Sequence, residues 1–157
     1  MTETDAQWLR CSFDIARTAG RRGDQAFGAV LVDAGGNLLL QADNTVATQQ
    51  DCTGHAELNL VREACRRFDS GTLSGSTLYA SSEPCAMCAG AIVSAGIRRV
   101  VFGMSAPRFF AWRSIQPTWR GRCADIFAET DPPTELIGPV LEEEAHAVHQ
   151  DSWPQSS

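Results

Sequence analysis

The sequence predicts an α/β protein: a three-layer α/β/α sandwich on a mixed, mostly five-stranded sheet. Three observations carry that expectation. An early segment repeats its apolar residues at helical spacing, several short aliphatic runs are bounded by turn residues, and helical segments separate most of those runs. Helices interleaved with strands must cover both faces of a sheet, and strand–helix–strand successions close as right-handed crossovers.

The elements follow in order. Leu9, Phe13 and Ala16 share one stripe and predict a first helix over 4–20. Phe27-Gly28-Ala29-Val30-Leu31-Val32 reads as a buried strand. Asp33-Ala34-Gly35-Gly36-Asn37 supplies turn chemistry, and 38–42 returns as a second strand. This hairpin makes the sheet mixed. A polar stretch over 43–54 leads to a helix over 55–68, with Leu58, Val61 and Cys65 on one face. A strand at 77–81, a helix of small residues at 86–95 and a strand at 99–103 come next. Residues 105–130 are rich in aromatics and Arg, and no element is assigned to them. A last strand at 135–137 and a helix over 140–150 complete the expectation.

Composition narrows the class. A length of 157 residues suits one domain, and 43% hydrophobic residues can build a core without disulfides. The net charge of −6 disfavours a broad phosphate-binding surface, so no nucleic-acid partner is expected. No run approaches the ~20 apolar residues of a membrane span, so no membrane partner is expected. The acidic start, Met1-Thr2-Glu3-Thr4-Asp5, is unlike a secretory leader, so a cytoplasmic location is expected. The cysteines are then reduced thiols, with Cys11 and Cys65 as packing residues.

Two segments carry chemistry: Thr53-Gly54-His55-Ala56-Glu57 and Glu83-Pro84-Cys85-Ala86-Met87-Cys88. Cys85 and Cys88, three apart, share a helix face, and Pro84 suits a helix start. His55 and Glu57 lie two apart, so both face one point only at an irregular helix entrance. One His and two Cys are ligands that zinc accepts, and three protein ligands are the mark of a catalytic site.

His-x-Glu followed by Pro-Cys-x-x-Cys resembles the cytidine deaminase superfamily of zinc-dependent nucleobase and nucleoside deaminases. The resemblance runs from about 27 to 103, and the motif over 82–92 is most similar to guanine deaminases and tRNA adenosine deaminases. The short chain with a C-terminal Trp also resembles fungal-type cytosine deaminases. It implies one Zn2+ per subunit on His55, Cys85 and Cys88, with Glu57 moving protons between the attacking water and the leaving amine. It implies that Asn44 hydrogen-bonds the substrate ring, that Phe27 packs on it beside Ala56, and that the Ser82–Glu83 backbone accepts from the amino group. Asn44 is equally at home as a turn residue.

On the same footing, 1–157 is one deaminase domain, with a core over about 5–103 and a specificity and lid region over 104–153. Phe110 and Trp112 are expected as lid or core residues, Trp153 as a closing aromatic and Asp151 as a reader of a ring N–H. The expected substrate is a free base or related aminated heterocycle, guanine first and cytosine a close second, in a homodimer. The alternatives are a nucleoside or tRNA adenosine deaminase, or a non-catalytic zinc-binding partner subunit. The presence of Glu57 opposes the last.

Overall fold

The computed structural model describes residues 1–118 and 120–154 and opens with helix α1 (Glu3–Arg22). The Thr2 hydroxyl accepts from the Asp5 amide at 3.1 Å, and the Asp5 carboxylate accepts from the Thr2 amide at 2.8 Å. That reciprocal cap satisfies donors that a helix start leaves free. Gly23, at φ 96°, ends the helix in the left-handed conformation that glycine adopts without strain. Leu9, Phe13 and Ala16 are buried, as the periodicity predicts.

The hairpin forms from β1 (Gly28–Val32) and β2 (Leu38–Asp43). Then come α2 (Val46–Gln49), α3 (Ala56–Arg67), α4 (Ser70–Ser74), β3 (Thr77–Ser82), α5 (Ala86–Ala95) and β4 (Arg99–Met104). The chain continues through α6 (Ala106–Arg113), α7 (Cys123–Ala128), β5 (Glu135–Ile137) and α8 (Glu142–Ser152). The five-stranded sheet has the order β2-β1-β3-β4-β5. β1 is antiparallel to β2 and β3, while β3–β4 and β4–β5 are parallel, so the sheet is mixed as expected.

Alternation along the strands feeds two cores. Ala29, Leu31, Leu78, Ala80, Val100 and Phe102 face one side, where Leu60, Ala64, Ile92 and Phe127 pack from α3, α5 and α7. Val30, Val32, Tyr79 and Val101 face the other, against Leu9 and Phe13 of α1 and Ala145 and Val148 of α8. Two helical layers around one sheet follow from this period-2 pattern. Asp5 joins the α1 layer to the sheet: its carboxylate accepts from the Tyr79 hydroxyl at 2.9 Å and from two nitrogens of Arg99 at 2.9 and 3.1 Å.

Three expectations need correction. The buried face of α3 is Leu60, Val61 and Ala64, whereas Leu58 is half-buried and Cys65 is exposed. α3 packs on β1, β2 and α5, and those partners rather than the helix's own pattern select which of its apolar residues are covered. Cys11 is half-buried and packs against the α1 core, but Cys65 has no packing role. The unassigned stretch contains two short helices, α6 and α7, which no long apolar period announces. Trp119, inside the predicted specificity and lid region, lies outside the described residues, as do 155–157.

Candidate metal and substrate site

β3 runs to Ser82, and the chain then turns over Glu83 and Pro84 into α5. Cys85 is the N-cap of α5, and His55 is the N-cap of α3. Both residues are extended rather than helical there, His55 at φ −69°, ψ 148° and Cys85 at φ −72°, ψ 171°. A cap breaks the helical phase, and this lets His55 and Glu57 approach the same point although they are two apart. Two helix N-termini converge, and their positive ends favour thiolate and carboxylate.

His55, Cys85 and Cys88 form a group able to hold a metal ion, with all donor atoms within 4.8 Å of one another. The His55 Nδ1 lies 3.5 Å from the Cys85 Sγ and 3.6 Å from the Cys88 Sγ. Tetrahedral zinc, with Zn–S of about 2.3 Å and Zn–N of about 2.0 Å, requires S···N separations of about 3.6 Å. The donors therefore fit zinc in both chemistry and spacing.

The protons of the group are unevenly shared. A hydrogen bond from Cys88, followed by one from His55, pulls the Cys85 thiol down to about 4. Cys88, which gives that bond and is buried, is pushed far up. His55 is raised, chiefly by its hydrogen bond with Cys85. Glu57, in the first turn of α3, is buried and accepts from the Cys88 thiol at 3.7 Å through Oε2. Burial raises its carboxyl to about 6, against the pull of His55. A carboxyl near neutrality can both take and return a proton.

Around this group, Asn44 is fully buried just after β2. Its Oδ1 accepts from the Val46 amide at 3.0 Å, an Asx turn, and its Nδ2 donates to Gln25 at 3.4 Å. The loop it begins is clamped from both sides. Asn59, one turn into α3, donates from Nδ2 to the Asp43 carbonyl and the Thr45 hydroxyl at 3.0 Å each, and to the Gly54 carbonyl at 3.3 Å. From the other side, Arg22 donates to the Asn44 carbonyl at 2.8 Å, and buried Asp24 accepts from the amide and hydroxyl of Thr48. A β-carbon on Gly54 would stand 2.8 Å from the Thr45 hydroxyl, so glycine is needed beside His55. The sequence reading missed Asn59, Arg22 and Asp24, since a lone polar residue carries no local signal of distant partners.

Ala56 is buried at the first helical position of α3, and the Ser82 hydroxyl donates to the Met104 carbonyl at 3.2 Å. The Glu83 side chain is buried and ion-paired with Arg122. Phe27 is half-buried, and the rings of Phe109, His149 and Trp153 stand 5.5, 5.4 and 5.3 Å from it. Trp112 and Trp153 pack edge to face at 5.6 Å, Phe110 packs on Phe109, and the Arg113 guanidinium lies 4.8 Å over the Trp153 ring. The structure thus brings Phe27, Phe110, Trp112 and Trp153 into one aromatic group. Phe109 belongs at its centre and was not singled out, although its three-residue spacing from Trp112 on a helix was the available signal. Asp151 is exposed on the last turn of α8 and is not drawn into that group.

His149 is fully buried, and neither ring nitrogen has a hydrogen-bond partner among the described residues. Burial lowers its imidazole to about 4. Unfolded His149 binds a proton near pH 6.5, while the folded chain resists until about pH 4. Stability is therefore full above about pH 6.5 and falls as pH drops toward 4, by about 3 kcal/mol from this group. Unfolding free energies of His149→Gln between pH 7 and 4.5 should show a shallower acid slope; an unchanged slope would assign the acid sensitivity elsewhere.

Known proteins are similar to this chain. Residues 2–104 match the family model described as the cytidine and deoxycytidylate deaminase zinc-binding region. A probable cytosine deaminase of Schizosaccharomyces pombe is 36% identical over 162 aligned residues, covering 98% of this chain and 94% of the relative. A tRNA-specific adenosine deaminase of Haemophilus influenzae is 39% identical over 104 residues; the match covers 66% of this chain and 60% of that relative's length. The fold is also that of a solved guanine deaminase from Nitrosomonas europaea, with a TM-score of 0.79 at 19% identity, covering 92% of this chain and 82% of the other. A family model over the motif-bearing part and a relative alike from end to end place both motifs in one lineage: this chain belongs to the cytidine deaminase superfamily.

Proposed function

We propose that the chain is a zinc-dependent hydrolytic deaminase of a free nucleobase or a closely related aminated heterocycle. The observation that carries this reading is the His55, Cys85 and Cys88 donor set at zinc spacing, with the buried Glu57 carboxyl against it. Zinc in a three-ligand site, one ion per chain, supplies Lewis acidity that makes a water nucleophilic near neutral pH. Glu57 takes one proton of that water at Oε2 and gives it to the ring nitrogen, then takes the second from the hydroxyl added to the ring carbon and gives it to the departing amine. A ring C–O bond forms, the exocyclic C–N bond breaks, and ammonia leaves.

Substrate contacts are part of the same proposal. Phe27, Phe110, Trp112 and Trp153 enclose the ring together with Phe109, while Asn44, Ala56 and the Ser82–Glu83 backbone address its polar edge. Residues 104–153 are then the specificity and lid region over a core of 5–103. A gathered aromatic group suits a free base, which must be gripped on several sides, better than a base presented on a nucleic acid. The net charge of −6 supports the same preference.

Likeness to a probable cytosine deaminase over 98% of this chain moves cytosine ahead of guanine as the first substrate to test. A homodimer belongs to the reading through family resemblance, and a cytoplasmic location is proposed with it. No helix among the described residues is long and apolar enough to cross a membrane.

The test is ammonia release by zinc-loaded protein offered cytosine, guanine, adenine, their nucleosides and related aminated heterocycles. Turnover of one free base in clear preference to its nucleoside is the expected result. Silence on all of them, with inosine formed in an adenosine-bearing tRNA anticodon stem, would end the free-base reading.

A further inference from the structure

Glu83 stands immediately before Pro84 and Cys85, and its side chain is only 2% exposed. Burying a carboxyl group at that depth is costly unless donors converge on it. Arg122 grips it with two prongs, Nε to Oε1 at 2.7 Å and Nη2 to Oε2 at 2.6 Å. The Ala106 amide, the first of α6, donates to Oε2 at 2.9 Å, and the Cys123 thiol donates to Oε1 at 3.6 Å. Three stretches distant in sequence meet here: the loop that carries Cys85, the head of α6 and the head of α7.

α6 carries Phe109, Phe110 and Trp112. Anchoring its first amide to the residue beside Pro84 ties the helix that bears the aromatic group to the loop that bears Cys85. The backbone of the same residue is held too, its amide donating to the Met104 carbonyl at 2.8 Å. Without Arg122, one amide and one thiol would face a buried carboxylate with no countercharge, and Glu83 would have to turn toward water. The Arg122 side chain is itself 45% exposed, so its loss opens no core cavity.

We propose that Arg122 is a positioning residue for substrate selection: through Glu83 it sets the gap between the aromatic face of α6 and the His55, Cys85 and Cys88 group, and so the ring size that the site accepts. The substrate half of this assignment rests on the free-base reading; the geometric half does not. Lys at the position keeps the charge but cannot form the two-pronged grip.

The experiment compares R122A, R122K and E83Q with the parent chain. It reads kcat and KM separately for cytosine and guanine, zinc per chain, and acrylamide quenching of tryptophan fluorescence. In R122A the ratio of the two kcat/KM values should shift by about tenfold or more, mainly through KM, since small misplacements cost large factors. Zinc content should stay at the parent level, quenching should rise as Trp112 and Trp153 loosen, and R122K should fall between. R122A added to E83Q should cost little more, because both changes break one interaction.

Equal loss on both bases with unchanged KM and unchanged quenching would overturn the assignment. If R122A folds poorly or loses zinc, R122K decides: parent-like selectivity and quenching there overturn it, since the grip is what it invokes. If the parent releases ammonia from neither base, the substrate half falls for these two rings, and quenching decides the geometry alone, with no change in R122A overturning it.

Discussion

Glu57→Gln is expected to lower kcat by about 10²–10⁴-fold, the usual worth of a positioned acid–base group, while zinc content and fold remain those of the parent. Gln keeps the shape of the side chain but can neither take a proton from water nor return one. Burial lifts the Glu57 carboxyl to about 6, so the parent stores a charge where charge is unwelcome. A neutral amide removes that cost, and the melting temperature should hold or rise. A dication on the neighbouring donors pulls the carboxyl down again, so the acid limb of activity in the zinc-loaded protein should lie below pH 6. Steady-state kinetics, metal analysis and thermal unfolding of the one variant check every part. Substantial turnover in Glu57→Gln would remove the residue from the chemistry.

Metal removal comes second. Chelation, or Cys88→Ser, is expected to abolish activity and to lower stability together. Zinc that binds only the folded chain contributes about 4 kcal/mol when free metal exceeds its Kd a thousandfold. Cys88 is fully buried and its thiol is held far toward the protonated form while no ion is bound. Binding must therefore expel that proton, and affinity should weaken as pH falls. Restored zinc should recover both melting temperature and turnover in the chelated parent, but not in Cys88→Ser. A chelated chain that unfolds earlier yet still releases ammonia would make the site structural and refute metal-assisted hydrolysis.

Much of the fold was legible because its causes are local. The short aliphatic runs of β1 and β4 and the helical stripe of Leu9, Phe13 and Ala16 each lie within a single element, so the burial of each is written in its own pattern. The entrance geometry of His55 and Glu57 was legible for the same reason: residues two apart can share a target only where a helix begins. α3 shows the limit. Its stripe was read one face off, as Leu58, Val61 and Cys65, and partners on β1, β2 and α5 select Leu60, Val61 and Ala64 instead.

By itself, then, the sequence determined the layer order, the mixed sheet, the family and the His, Glu and paired Cys that stand together. Each rests on spacing within a few residues or on a motif. The tertiary structure alone decided that Phe109 centres the aromatic group, that Asn59 and Asp24 clamp the Asn44 loop, and that Glu83 is gripped by Arg122 from 39 residues away. It also decided that His149 is sealed from water while Asp151 is not. Those outcomes depend on which surfaces meet after the chain closes. A side chain's neighbours in sequence hold no record of a hydrogen bond or an ion pair whose partner arrives from another layer.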